Sequence, residues 1–151
     1  MRSHIRNHGY TLVELLVTIG VIGILAAIAS PMYGNQMDAS KLVKTRKHFD
    51  DATRVAEQEF VKAHQVEGLG QPSSLPTTAA EWIRRFDSGG SAVAPDGGAA
   101  FITNATGDSI TGAIGVNWDA TNETLTLARP TYVDVAGVSV EITSEGLTTL
   151  P

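Results

Sequence analysis

An uncharged run at residues 15–29 reads LLVTIGVIGILAAIA and is apolar at almost every position. Glu14 is the last charged residue before this run, and Asp38 is the first one after it. A helix needs about 17–25 apolar residues to cross a bilayer, and residues 10–13 bring the run to that length. Two arginines and no acidic residue precede them. The sequence therefore predicts one membrane-spanning helix whose N-terminus stays in the cytoplasm.

Three kinds of segment share this pattern: a secretory signal peptide, a plain membrane anchor, and a span that is cut on its cytoplasmic side and retained. Ala27-Ile28-Ala29 before Ser30 is typical of a signal-peptidase site. Glu14 favours the retained span, because a carboxylate in an apolar segment costs roughly 2.5–3.5 kcal/mol at a helix centre. Neither a signal peptide nor a passive anchor has a use for that acid. We therefore expect Glu14 to be a functional residue that meets a partner.

Residues 8–16, HGYTLVELL, resemble the processing site of type IV prepilins and the related type II secretion pseudopilins. In that family a short basic leader ends in glycine, and a membrane peptidase cuts after this glycine on the cytoplasmic face. The new N-terminal residue, usually phenylalanine, is then N-methylated. The resemblance implies a leader at residues 1–9, cleavage between Gly9 and Tyr10, and methylation of Tyr10, which keeps the aromatic ring.

Glu14 holds the position of the family's acid, the fifth residue after the cut. The resemblance implies an assembly role, in which its carboxylate pairs with the free α-amino group of Tyr10 on a neighbouring subunit and relieves the burial of both charges. An acid that reaches water at the lipid interface is the alternative. The family also loses helical structure within assembled filaments, which implies a flexible segment from Gly23 to Pro31. Glycine is common in membrane helices, and this explains Gly23 equally well.

Beyond Pro31, apolar residues continue at helical spacing. We predict one long kinked helix, with residues 10–33 as the membrane-spanning and filament-core part and residues 34–67 as an amphipathic part that packs on a head. Residues 68–98 are predicted to form a connecting loop with a short helix at residues 77–86, capped by Thr77 or Thr78. The apolar face predicted for the amphipathic part consists of Leu42, Phe49, Ala52, Ala56, Phe60 and Ala63.

The predicted head comprises residues 99–151. Alternating apolar residues predict strands at 100–102, 110–118 and 124–128, and a hairpin over residues 132–143. We therefore expect an antiparallel sheet of about four strands laid on the long helix, which is an α+β fold and is similar to the pilin head.

The chain has 11 basic and 16 acidic residues and a net charge of −5, which argues against extensive binding to nucleic-acid phosphates and leaves DNA binding open only at a local patch. A basic cluster of Lys41, Lys44, Arg46 and Lys47 follows the span, whereas residues 68–151 hold nine acids and three bases. The cluster is a solvated helix face, a contact for lipid headgroups, or a contact for the acidic head of a neighbouring subunit.

The sequence contains no cysteine, which excludes disulfides, cysteine-ligated metals and a cysteine nucleophile. Type IV pilins usually close their C-terminal loop with a disulfide, whereas major pseudopilins usually lack it and bind calcium there. The acids available for calcium form no tight cluster, and no catalytic motif is found. We predict no enzyme activity, no cofactor and no metal site. The acids considered are Asp108, Asp119, Glu123 and Asp134.

The resemblance implies a structural subunit of a type IV pilus that serves adhesion, motility or DNA uptake. Its partners would be further copies of the chain, the prepilin peptidase and methylase, and the inner-membrane assembly machinery. The precursor would sit in the bacterial inner membrane as a single-pass protein, and the product would be extracellular. The alternatives are a secretion pseudopilin, a minor pilin, and a secreted globular protein released after Ala29.

Overall fold

The computed structural model describes residues 10–150. The chain's contacts divide it between Met37 and Asp38 into two compact units, which are described in turn. The elements in chain order are α1 (Leu12–Gly68), α2 (Ala79–Phe86), β1 (Phe101–Ile102), β2 (Ile114–Asp119), β3 (Thr124–Arg129), β4 (Val138–Thr143) and β5 (Gly146–Leu150).

The first unit contains the N-terminal part of α1. The helix has 57 residues and continues through Pro31, although proline lacks the N–H that would bond to the carbonyl of Ala27. One long kinked helix was predicted over residues 10–67, and the structure confirms a continuous helix at Leu12–Gly68. The kink stays a prediction. The predicted leader at residues 1–9 lies outside the described residues.

In the second unit, one face of α1 packs on the sheet. Phe49, Ala52, Ala56, Phe60 and Ala63 are buried, as the helical spacing predicts. Leu42, also predicted for this face, is half-buried. The small alanines let the helix approach the sheet closely, and the two phenylalanines fill the space beside it.

Helix α2 begins with a reciprocal cap. The hydroxyl of Thr78 accepts a hydrogen bond from the backbone N–H of Glu81 at 3.2 Å, and the Glu81 carboxylate accepts one from the backbone N–H of Thr77 at 2.7 Å. This arrangement satisfies donors that the first turn leaves free. The helix places Trp82 in the core, where it is fully buried and its ring stacks on Phe60 with centroids 5.7 Å apart.

The sheet has five strands in the order β1-β2-β3-β4-β5. Strands β2 to β5 form an antiparallel meander, and β1 pairs with β2 in parallel. The α+β prediction is confirmed, and the sheet has one strand more than the expected number and is mixed. Its inward side chains complete the core that α1 and α2 cover; they are Phe101, Ile114, Val116, Leu125, Leu127, Val140 and Ile142.

The strand predicted at residues 110–118 begins only at Ile114. The Asp108 carboxylate accepts hydrogen bonds from the Ile110 N–H at 2.9 Å and the Thr111 hydroxyl at 2.8 Å, and Gly112 has φ +77°. These contacts form a turn, so Ile110 is exposed although its apolar side chain fits the alternating pattern.

The hairpin predicted over residues 132–143 is wrong in its pairing. Val133 and Asp134 have φ of 48° and 59°, and Tyr132 and Val135 exchange two backbone hydrogen bonds across them. Residues 132–135 are therefore a tight turn, and β4 pairs with β3 on one side and with the unpredicted β5 on the other.

Candidate assembly site at the start of the long helix

The first turn of α1 is built around Thr11 and Glu14. The Thr11 hydroxyl accepts a hydrogen bond from the backbone N–H of Glu14 at 3.2 Å, which is the contact of a helix N-cap. The Thr18 hydroxyl in turn donates to the backbone carbonyl of Glu14 at 2.6 Å. These two threonines fix the backbone of Glu14 within the helix, so the position of its side chain along α1 is set.

Glu14 lies in the first turn of α1, where the helix dipole favours a negative charge. Within residues 10–150, no hydrogen bond or ion pair joins its carboxylate to another group. Tyr10 lies two residues before the first residue of α1, and Glu14 is the third residue of that helix.

The side chains that surround this acid are apolar and uncovered. An 18-residue window of α1 has a mean hydropathy of 2.6, and none of it is buried within the described chain. The helix is long and apolar enough to cross a membrane. A surface of this size in water is unfavourable. Its large exposed side chains include Leu12, Val13, Leu15, Leu16, Val17, Ile19, Val21, Ile22, Ile24, Leu25, Ile28 and Met32.

Two glycines interrupt this apolar surface. A Cβ atom built on Gly20 or Gly23 would meet no atom within 4 Å. No contact within the chain therefore requires glycine at these two positions, and a neighbouring helix or lipid can occupy the space beside them. Gly23 and Pro31 lie within the continuous helix of the isolated chain, and loss of helix between them stays a prediction. Gly9, the predicted cleavage residue, lies outside the described residues.

The basic cluster is divided between two environments. Lys41 forms an ion pair with Asp96 at 2.6 Å, while Lys44, Arg46 and Lys47 are exposed. Asp96 also accepts a hydrogen bond from the hydroxyl of Tyr132. The bond to Lys41 lowers the pKa of Asp96, and burial with the bond to Asp96 raises the pKa of Tyr132. Three segments distant in sequence are thus held together. In the sequence, Lys41 and Asp96 are recognisable only as charged residues and Tyr132 only as an aromatic residue. Neither property indicates that the three side chains are in contact.

Two acidic residues of the head accept hydrogen bonds within turns. The Asp119 carboxylate accepts hydrogen bonds from the Thr121 N–H at 2.8 Å and the Asn122 amide at 2.7 Å, and these bonds lower its pKa. Asp108 does the same in the turn before β2. Among residues 10–150, no three His, Cys, Asp or Glu side chains are grouped as metal ligands.

Thr11 is the residue of this site to which the sequence analysis gave no role. A threonine followed three positions later by glutamate, directly before an apolar run, is the signature of a capped helix start. That signal was present in the quoted motif. It identifies the structural contribution of Thr11, which is separate from the chemistry of Glu14.

The comparisons with known proteins agree with this geometry. Residues 5–30 match the family described as the prokaryotic N-terminal methylation motif. A similar curated protein is the fimbrial protein EcpB of Eikenella corrodens, which is 36% identical over 59 residues, or 39% of this chain and 36% of the relative. The match thus spans about a third of that protein's length. No solved structure matches the chain.

The family match covers the first turn of α1 and its apolar run, which are the features that carry the resemblance to prepilins. The motif in the sequence, the long apolar helix and the α+β head are found in one chain. The resemblance drawn from residues 8–16 is confirmed. The chain therefore carries the prokaryotic N-terminal methylation motif and is similar to a fimbrial protein.

Proposed function

We propose that this chain is a structural subunit of a type IV pilus, made as a precursor and polymerised through its N-terminal helix. A prepilin peptidase cuts between Gly9 and Tyr10, and Tyr10 is then N-methylated. The proposal is supported by the methylation motif at residues 5–30 and by the similarity to a fimbrial protein. The observation that carries it is the single acid in the first turn of α1, at the start of the apolar and exposed N-terminal part of that helix.

The exposed apolar surface of α1 lies in two successive environments. Before assembly, lipid of the inner membrane covers it, and the chain is a single-pass membrane protein. After assembly, the same surface is covered by the helices of neighbouring subunits. Assembly machinery in the inner membrane transfers the subunit from one environment to the other, and the filament becomes extracellular. Adhesion, motility and DNA uptake are the uses that such a filament serves.

Glu14 sets the displacement of neighbouring helices along the filament axis. In a bundle of apolar helices, its carboxylate and the amino group of a processed Tyr10 are both costly to bury alone. Pairing them between two subunits removes both costs and requires a fixed displacement along the axis. Gly20 and Gly23 leave room for the close approach of a neighbouring helix, and the missing backbone bond at Pro31 allows the segment from Gly23 to Pro31 to unwind.

The substitution Glu14→Ala tests this pairing. We expect the yield of sheared filaments to fall by about a hundredfold, because one unpaired buried charge costs about 3–5 kcal/mol. The membrane content of the precursor should stay unchanged, since removal of an acid favours insertion. Glu67→Ala is the matched control, because Glu67 is an exposed acid at the other end of α1. Filaments of Glu14→Ala at the wild-type yield would contradict the pairing.

A secretion pseudopilin is the second candidate. Without cysteine the chain cannot form the disulfide that major pseudopilins also usually lack, whereas the fimbrial relative favours a pilus. Electron microscopy of cells that express the chain at its native level separates the two. Long surface fibres support the pilus, and secretion that depends on the chain in cells without surface fibres supports the pseudopilin.

A further inference from the structure

Two grooves lie beside the second part of α1, at opposite edges of the sheet. The first has a volume of about 530 Å³ and lies between α1 and the turn that joins β4 to β5. The second has a volume of about 410 Å³ and lies between α1, Phe86 and Phe101, the first residue of β1. Since β1 and β5 are the two outer strands, the grooves are separated by the width of the sheet.

The groove beside β5 is apolar with an acidic rim. Phe60, Val61 and Leu147 line it, and Val61 and Leu147 are 57% and 41% exposed. Glu57 and Glu145 are the acidic side chains of its lining, which also includes His64. Within residues 10–150, neither glutamate forms an ion pair. The groove therefore offers a surface for an aliphatic chain that ends in a cation.

The groove beside β1 has a basic rim. Lys44 and Lys47 line it and are exposed, and within the described residues neither forms an ion pair. Asp51 also lines this groove, but its carboxylate lies 3.3 Å from the Arg54 guanidinium, which offsets its charge. The lysine side chains carry apolar stems below their charged ends.

We propose that the acidic groove beside β5 binds the basic edge formed by Lys44 and Lys47 of a second copy of this chain. The lysine stems lie on Val61 and Leu147, and the ammonium groups reach Glu57 and Glu145. The opposite charges of the two surfaces and the apolar stems of the lysines support a second copy as the occupant of the groove. Because the two surfaces are different parts of one chain, the contact is head-to-tail and can repeat without closing. This inference rests on the proposed function and names a contact between heads in the filament.

The absence of cysteine in the wild-type chain allows a direct test in assembled filaments. The full chain with Lys47→Cys and Glu145→Cys is treated with a short bismaleimide after the filaments are sheared from cells. We expect a ladder of dimers, trimers and larger products, because each copy offers both ends of the contact. Each single cysteine variant should give no ladder. The matched control combines Glu145→Cys with Ala120→Cys, since Ala120 is an exposed residue in the turn between β2 and β3.

A charge exchange gives a second measurement. Lys47→Glu should lower the filament yield about fivefold, because like charges then face each other in the contact. Adding Glu145→Lys should restore most of the yield. Filaments that form without a ladder above the control pair would overturn this contact and leave the proposed function standing. A wild-type chain that forms no filament under conditions in which it is processed would overturn both.

Discussion

At the scale of single residues, Asp96 joins parts of the second unit that are far apart in sequence. It lies 2.6 Å from the ammonium group of Lys41 on α1 and accepts the hydroxyl of Tyr132 from the turn between β3 and β4. Both partners lower the pKa of Asp96, and the bond from Lys41 has the larger effect. The pKa of Lys41 is correspondingly raised. The charged pair therefore stabilises the folded state only while both groups are ionised.

The substitution Asp96→Asn should lower the melting temperature of the full chain in detergent at neutral pH. Since the pKa of Asp96 is lowered from 3.8, its stabilising effect is present above that value and is lost as pH falls further. Since the pKa of Lys41 is raised from 10.5, its effect is present below that value and is lost as pH rises beyond it. Circular-dichroism melts of wild type and variant should therefore differ between these limits and converge in acid. A difference that persists in acid would contradict the role of the charge.

Gly115 is required by its surroundings. A Cβ atom there would lie 2.4 Å from the backbone nitrogen of Gly107 and 2.5 Å from the Asn104 Oδ1 atom. Gly115→Ala should therefore reduce the free energy of unfolding by about 1–3 kcal/mol, the usual cost of overpacking. Gly68→Ala is the control, because its Cβ atom would meet nothing within 4 Å. Denaturant titration of both variants checks this, and equal stabilities would show that the tight contact is absent.

At the scale of elements, the sequence is most informative where the local pattern and the tertiary contacts agree. The buried face of α1 and the helix α2 were predicted from their spacing and cap. The strands predicted at residues 110–118 and 124–128 overlap β2 and β3, which pair on either side of a short connection. In each case the residues that decide the structure lie within a few positions of one another.

The errors occur where a non-local contact decides the structure. Tyr132 to Val135 alternate as a strand does, but Val133 and Asp134 adopt positive φ, and the hydroxyl of Tyr132 bonds to Asp96. Strand β5 is exposed along most of its length, so burial gives its sequence no alternating apolar pattern. The sequence motif identified Glu14 as a candidate site residue. No local sequence pattern indicated the ion pair between Lys41 and Asp96.

The cap of α2 provides a prediction at this scale. Thr78→Ala removes the hydroxyl that accepts the N–H of Glu81, and we expect a loss of about 0.5–2 kcal/mol in the free energy of unfolding. Trp82 should remain in the core, since its burial does not depend on the cap. Thr78→Ser keeps a hydroxyl and should retain most of the stability. Denaturant titration followed by tryptophan fluorescence measures both, and an equal loss in the serine variant would argue against capping.

At the scale of the whole molecule, the two units have different surfaces. The first unit exposes a nearly continuous apolar helix with one acid near its start. The second unit has its own core between α1, α2 and the sheet, and it carries charges of opposite sign at the two edges of the sheet. A polymer joined by the helices and by the heads would use both sets of surfaces.

We infer that the apolar helix is retained in the mature chain and is present in the filament. The most direct measurement is the intact mass of the main protein in sheared filaments, with the N-terminal residue identified by peptide sequencing. We expect a chain that begins at Tyr10 and carries one added methyl group. A mature chain that begins at Ser30 and is recovered as a free monomer would contradict it.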